Sequence, residues 1–419
     1  MNPTTMQIVA AVLFALALIH TFSTKLFDVL SHKMPRHAGL FHLLAEVEVV
    51  FGLWAMILAL IMLFMTGSQP TLNYLESLNF TEPLFVFAIM VMAGTRAVLQ
   101  VAGDVVRGMA RITPMARGAA NYWVVMWLVP LMGSFITEPA AMTLAALLLR
   151  DTVFAHAKSD KLLYGSLGLL FVNISIGGTL TSFAAPPVLM VAAAWGWDTS
   201  FMLTHFGWKA ALAAIVNASL FTAIFYKELA AMPKEASGTR LRRVPLSVVA
   251  VHLLLLAGVV ASAHYPVVFL GIFLAFMGYS TAYERHQERL ILREALLVAF
   301  FLAGLVVLGG QQRWWLQPLL MRMDANEVFW GATALTAITD NAALTYLGSL
   351  VDGLTLDFKM ALVMGAVTGG GLTVVANAPN PAGISILRSR FPGETVNALS
   401  LLVAALVPTL IAAAAFRLL

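Results

Sequence analysis

The stretch Asn173-Ile-Ser-Ile-Gly-Gly-Thr-Leu-Thr181 is followed by Ala184-Ala-Pro-Pro187, and a similar order of residues returns later in the chain. There, Gly369-Gly-Gly-Leu-Thr373 precedes Ala376-Asn-Ala-Pro-Asn-Pro381. Glycine accepts backbone conformations that other residues avoid, and proline withholds an amide donor, so each stretch interrupts a helix. The sequence therefore predicts two broken helices, in residues 162–195 and 360–387.

The composition indicates that these breaks lie inside a membrane protein. Of 419 residues, 60% are hydrophobic and only 11% are charged, against about 25% charged in a soluble domain. The apolar stretches are long and continuous, which excludes an outer-membrane barrel with its short alternating segments. The fold class predicted from the sequence is an all-α polytopic membrane protein.

Several functional classes are excluded by what the sequence lacks. It contains no Cys, so it has no disulfide framework, thiolate nucleophile or Cys-ligated metal. The net charge of +4 comes from basic residues in short loops, which indicates membrane topology and not nucleic-acid binding. Signatures of hydrolases and intramembrane proteases are missing, so we expect no enzyme activity and no cofactor. The first apolar run, Met6 to His20, lacks a basic start and a cleavage site, which favours a membrane helix over a signal peptide.

A second pair of motifs interrupts two further apolar runs, residues 119–149 and 328–350. Thr137-Glu-Pro-Ala-Ala-Met-Thr143 and Thr339-Asp-Asn-Ala-Ala-Leu-Thr345 share the order Thr, carboxylate, any residue, Ala, Ala, apolar, Thr. Each reads as a helix start, with Thr137 or Thr339 as the N-cap and the carboxylate in the first turn. The first run is also broken by Pro130 and Pro139.

The distribution of basic residues predicts the topology, because Lys and Arg mark cytoplasmic loops. Residues 119–149 start and end beside basic loops, so we expect a re-entrant hairpin from the cytoplasm. Residues 328–350 start and end outside, which predicts a hairpin from the opposite face. The scheme has about ten transmembrane helices, both termini outside, and a location in the bacterial inner (plasma) membrane.

The duplicated motifs divide the chain into an inverted-topology repeat. The first repeat is residues 1–226 and the second is residues 245–419. A cytoplasmic linker, residues 227–244, joins them.

Irregular backbone at membrane depth lines a cavity or is buried in protein, so the breaks and hairpin tips are expected to form one midplane site. A membrane carboxylate costs about 2.5–3.5 kcal/mol to insert, which favours a functional role for the acidic residues over a purely structural cap. For the glycines the alternative is close helix packing. The predicted cation- and proton-binding residues are Thr137, Glu138, Asn173, Gly177, Gly178, Thr179, Thr181, Thr339, Asp340, Asn341, Gly370, Gly371, Thr373 and Asn377.

Two narrower expectations concern side chains. A Na⁺ ion is expected at Asp340, Asn341 and Asn173. Arg96 lies within an apolar run and needs a partner, for which Glu46 and Glu48 are candidates. A scaffold salt bridge is the preferred interpretation of these three residues, and a proton path is the alternative.

The motifs resemble the ion transporter superfamily, which includes NhaD-type sodium/proton antiporters, the arsenite permease ArsB and sodium–dicarboxylate symporters. The start of the second span, His42-Leu-Leu-Ala-Glu-Val-Glu-Val-Val-Phe-Gly-Leu-Trp54, resembles the branch of sodium/proton antiporters. This resemblance implies two inverted repeats, each with a hairpin and an unwound helix, a surrounding scaffold and a homodimer. The chain departs from the superfamily at Glu138-Pro139 and lacks the Ser-Asn-Thr motifs of the dicarboxylate branch.

Carboxylates at both hairpin tips favour a cation substrate. The sequence therefore predicts a secondary active transporter that exchanges Na⁺, or a similar cation, for H⁺ by alternating access. Its partners are small inorganic ions and the lipid bilayer, with no nucleic acid. The alternative is a sodium-coupled or uniporting anion carrier on the same fold, in which helix N-termini face the substrate.

Overall fold

The computed structural model describes residues 3–232 and 243–419, and every regular element in these two ranges is helical. Residues 233–242, which make up most of the predicted linker, lie outside the described residues. The helices before this gap are α1 Thr5–Lys33, α2 Ala38–Leu44, α3 Val47–Thr66, α4 Ser68–Ser77, α5 Thr81–Ala93, α6 Arg96–Ile112, α7 Arg117–Ile136, α8 Glu138–Leu149, α9 Asp160–Gly177, α10 Pro186–Trp195, α11 Thr199–Met202, α12 Trp208–Ile224 and α13 Tyr226–Ala230. The helices after it are α14 Leu246–Ala261, α15 Pro266–Ala282, α16 Leu292–Gly309, α17 Arg313–Leu320, α18 Ala325–Thr336, α19 Asn341–Ser349, α20 Leu356–Gly369, α21 Asn380–Leu387 and α22 Ala398–Leu418.

Within the described residues, seven helices are long and apolar enough to cross a membrane, and the bent pair α4–α5 makes eight. The seven segments are Thr5–Thr24, Val47–Thr66, Arg117–Ile136, Asp160–Leu180, Thr199–Ile224, Leu292–Gly309 and Ala398–Leu418. This is fewer than the ten predicted. Two predicted spans form the shorter helices α14 and α15. A third is interrupted at Gly94 and Thr95, between α5 and α6, and a fourth, residues 360–387, is divided into α20 and α21. One of the seven observed segments, Arg117–Ile136, is α7, which the sequence places in a hairpin.

Helices α7 and α9 run in the same direction. The side chain of Asn173 donates to the carbonyl of Met126 at 2.8 Å, and Ser134 donates to the carbonyl of Gly177 at 2.8 Å. Residue numbers thus rise together along the two contacting helices. Because two consecutive parallel helices need a return segment between them, α8 must run backwards.

The turn into that return segment is made at Thr137, which has a left-handed φ of 70°. Across the turn, Gly133 lies against Ala141, where an added Cβ would be 3.3 Å from the alanine methyl. Pro130 lies within α7 and Pro139 lies near the start of α8, so neither proline makes the break. Prolines are tolerated in membrane helices when neighbouring groups satisfy the freed carbonyls.

The second half repeats this arrangement with α18, α19 and α20. Thr333 donates to the carbonyl of Gly365 at 3.1 Å, and Thr373 donates to that of Ala337 at 2.8 Å. Residue numbers rise together again, so α18 and α20 are parallel and α19 runs back between them. The break falls at residues 337–340, within the predicted hairpin.

One hydrogen bond appears in both halves at matching places. Thr181 donates to the carbonyl of Ser134 at 2.6 Å across a sequence separation of 47, and Thr373 donates to that of Ala337 across 36. Each threonine ends a duplicated glycine motif, and each carbonyl belongs to the first arm of a hairpin. The two halves therefore fix their broken helix to their hairpin by the same contact.

The two broken helices cross in opposite directions. Ser175 of α9 donates to the carbonyl of Val367 in α20 at 2.7 Å, and Val172 lies against Gly371. Residue numbers rise on one helix as they fall on the other. In addition, α8 packs on α21 of the other half, and α19 packs on α10 of the first half. Each half therefore makes the equivalent contact with the other.

The remaining helices surround this centre. Helix α16 packs on α3 and α5, and α1 packs on α3. Gly304 lies against the backbone of Phe51 and Gly52, which leaves no space for a side chain at that crossing. This close approach brings the first turn of α3 towards the hairpin tip at Asp340.

Candidate functional site

Glu138 connects the first hairpin to the second broken helix. It is the first residue of α8 and is fully buried. Its Oε2 accepts a hydrogen bond from Nδ2 of Asn377 at 2.9 Å. Its other oxygen faces Gly178, where an added Cβ would lie 2.5 Å from Oε1. The carboxylate therefore contacts both breaks.

Asp340 caps helix α19. Its Oδ1 accepts from the amides of Ala342 at 2.8 Å and Ala343 at 3.2 Å. The expectation that Thr339 is the N-cap was wrong by one residue. A carboxylate cap is stabilised by the free amides and by the positive end of the helix dipole, so aspartate is well suited to this position.

Asp340 also faces a small cavity of about 20 Å³, which is large enough for one water molecule or one small ion. Its polar lining is Glu48, Asp340 and Asn377, and its apolar lining is Val47, Val298, Phe301, Val374, Val375, Ala378 and Pro381. An apolar wall borders the two carboxylates and the amide. The electrostatic attraction between the carboxylates and a cation is correspondingly strong.

Several buried polar atoms around the breaks have no hydrogen-bond partner among the residues that the structure describes. They are Thr137 Oγ1, Glu138 Oε1, Asn341 Oδ1 and Nδ2, Asn377 Oδ1 and Asn380 Oδ1. Buried polar groups almost always have a partner, so this cluster indicates bound water or an ion. Most of these atoms are oxygens, which suit Na⁺ at an unwound membrane helix.

The threonines and glycines of the motifs hold the broken helices against their neighbours. Thr179 donates to the carbonyl of Ile176 at 2.7 Å, just as Thr181 and Thr373 donate to hairpin carbonyls. Gly370 lies against Ser175 and Asn341, so it permits the close crossing of the two breaks. These residues shape the site more than they line it.

Asn173 lies in a separate polar contact and not in the cavity lining. Its Nδ2 donates to the carbonyls of Met126 and Ala214, and its Oδ1 accepts from Asn217 at 2.9 Å. Asn217 also donates to the carbonyl of Pro408 at 3.2 Å. This contact ties α7, α9, α12 and α22 together, which favours a structural role over the predicted Na⁺ ligation.

The sequence analysis did not assign two of these residues to the ion site. It left out Asn380 and gave Glu48 another role. Asn380 bridges the second break, because its Nδ2 donates to the carbonyls of Gly370 and Thr373, both at 2.9 Å. Glu48 lies on the cavity, although a scaffold pair was the preferred interpretation. An asparagine beside prolines in the duplicated motif was the available signal for Asn380.

The predicted pairing of Arg96 with Glu46 or Glu48 is not the one observed. Arg96 Nε lies 3.9 Å from Glu288, and Glu46 pairs with Arg293. The two acidic residues near the start of α3 also differ in their backbone position. Glu46 is the N-cap residue of that helix, outside its regular turns, whereas Glu48 lies in the first turn.

A larger cleft of about 700 Å³ opens beside the first break. Ser182 and Phe183, which follow the glycine motif, form one wall. Ionisable side chains of Glu82, Asp198 and His264 line the rest together with aromatic rings. The cleft therefore reaches the residues that directly follow the first glycine motif.

Long apolar helices that are interrupted around buried carboxylates and amides define a polytopic membrane transport protein. No protein of curated function matches the chain in sequence. The family model described as "Putative Na+/H+ antiporter" matches residues 5–419, so the chain belongs to that family. It is accordingly a transmembrane protein that transports sodium ions by antiport.

Proposed function

We propose that the protein exchanges Na⁺, or a similar small cation, for H⁺ at the cavity that contains Asp340. The observation that carries this proposal is a buried carboxylate on an ion-sized cavity, beside an amide oxygen of Asn377 that has no partner in the described part of the chain. A proton and a cation compete for the same carboxylate. Exchange follows if the loaded site opens to each side of the membrane in turn.

The contacts between the halves support an inverted-topology repeat as the basis of alternating access. Equivalent helices α9 and α20 cross in opposite directions. We propose that the hairpin α7–α8 enters from the cytoplasm and α18–α19 from outside, as in the wider ion transporter superfamily. Rocking one half against the other then exposes the central site alternately.

The anion-carrier alternative requires free helix N-termini to bind the substrate. At α19, Asp340 already occupies two of these amides. At α8, the carboxylate of Glu138 occupies the first turn. Two buried acidic residues at these ends repel an anion, so the arrangement favours a cation.

The test is a pH-gradient dye assay in everted membrane vesicles. Na⁺, Li⁺, K⁺ and Ca²⁺ are added in turn to vesicles with the wild-type protein and to vesicles without it. We expect cation-dependent dissipation of the gradient with Na⁺ or Li⁺. Purified protein in liposomes that accumulates anions without any cation-dependent proton movement would support the anion carrier instead.

A further inference from the structure

Glu48 reaches the cavity from a different part of the fold than Asp340. Glu48 lies in the first turn of α3, a surrounding helix packed on α16, whereas Asp340 begins the hairpin arm α19. Both residues line the same small cavity. The cavity is therefore the boundary between the surrounding helices and the central repeats.

The charges near Glu48 are unbalanced. Asp340 faces it across the cavity, and its neighbour Glu46 is also acidic. Arg293 is the nearby cation, but it is already paired with Glu46. No described residue forms an ion pair with Glu48. Two like charges on one apolar cavity repel each other, and a cation between them converts this repulsion into attraction.

The geometry points to Glu48 as a cation-binding residue of the transport site, so that the bound cation bridges helix α3 and hairpin arm α19. This inference rests on the proposed function. Glu48, Asp340 and Asn377 would supply an all-oxygen set, which suits a hard cation and excludes an anion. Because the two carboxylates lie on separate parts of the fold, the cation would hold those parts together.

The test compares Glu48→Gln with Glu294→Gln, an exposed carboxylate in the first turn of α16. The full-length protein is reconstituted in liposomes, and its KM for Na⁺ and maximal exchange rate are measured. We expect Glu48→Gln to raise the KM roughly tenfold or more, as loss of a metal-site partner does. Glu294→Gln should leave the KM close to that of the wild type.

A second readout does not depend on transport. Na⁺ should raise the thermal unfolding temperature of the purified wild-type protein, because a ligand stabilises the state that binds it. This shift should be lost in Glu48→Gln and partly kept in Glu48→Asp, which retains the charge. Failure of both variants to fold would contradict the inference, since a residue that only binds the cation is not needed for folding.

The outcomes separate this inference from the proposed function. Wild-type protein that moves no protons with any cation would remove the proposed function itself. A different result would exclude only the role of Glu48. In that case the wild type exchanges ions, and Glu48→Gln keeps both the wild-type KM and the stabilisation by Na⁺.

Discussion

Glu138 and Asn341 occupy equivalent positions in the two halves of the chain. Each is the first residue of the helix that returns from a hairpin turn. Each also faces the second glycine of a duplicated motif, Gly178 for Glu138 and Gly370 for Asn341. The first half therefore places a carboxylate where the second half places a neutral amide.

The partner of Asp340 in this comparison is Thr137, because both are N-cap residues. The sequence motifs had aligned Asp340 with Glu138, and the structure shifts that alignment by one residue. The two carboxylates consequently differ in surroundings. Asp340 faces the cavity, whereas Glu138 is sealed against Asn377.

Replacement of Asp340 by Asn should therefore abolish exchange while the protein still inserts and folds. The substitution keeps the size of the side chain and removes the charge for which Na⁺ and H⁺ compete. Asp340→Glu should retain partial exchange with an altered pH dependence. The measurement is the cation-induced response of a pH-sensitive dye in everted vesicles at matched protein levels. Wild-type rates in Asp340→Asn would exclude Asp340 from the mechanism.

Replacement of Glu138 by Gln should be less damaging than Asp340→Asn. Glutamine fits the same space and can still accept the hydrogen bond from Asn377, and Glu138 does not line the cavity. The same vesicle assay measures both variants side by side. Equal loss of exchange would show that the two carboxylates act together.

The close crossing at Gly177 predicts a stability effect. An added Cβ would lie 2.5 Å from the carbonyl oxygen of Pro130, in a part of the fold that cannot yield easily. Overpacking of this kind costs about 1–3 kcal/mol. Gly177→Ala should lower the thermal unfolding temperature in detergent and reduce exchange. The matched control is Gly271→Ala, because nothing lies within 4 Å of a Cβ at Gly271.

The broken helices could be predicted because Gly-Gly and Pro interrupt a helix by local chemistry alone. Residues 162–195 and 360–387 contain the observed breaks. The cap at Asp340 was missed by one residue, because Thr and Asp are both good N-caps and the turn geometry decides between them. The place of Glu48 depends on how α3 and α19 both pack on α16, which no local pattern contains.

A substitution at Asn173 tests whether this residue stabilises the packing of the helices or binds the ion. If it ties helices together, Asn173→Ala removes one of the two acceptors of the Asn217 amide. It also removes the donor to the buried carbonyls of Met126 and Ala214, and unsatisfied buried groups of this kind cost about 1–3 kcal/mol. The thermal unfolding temperature should fall while the KM for Na⁺ in the remaining folded protein is unchanged. An increase in KM without loss of stability would restore the predicted Na⁺ ligation by Asn173.

The proposed entry of the two hairpins from opposite faces predicts on which side of the membrane two loops lie. Ser77 ends α4 in a region without basic residues, and Ser389 lies between Arg388 and Arg390. Both serines are exposed. The chain contains no Cys, so Ser77→Cys and Ser389→Cys each introduce a single reactive thiol.

A membrane-impermeant maleimide should label Ser77→Cys in intact cells and Ser389→Cys only in everted vesicles. This follows because α8 and α19 each return the chain to the side from which its hairpin entered, which leaves an odd number of crossings between the two serines. The protein without Cys is the control for background labelling. Labelling of both variants from the same side would require an even number of crossings. One hairpin would then have to cross the membrane fully, and the inverted arrangement of the two halves would be lost.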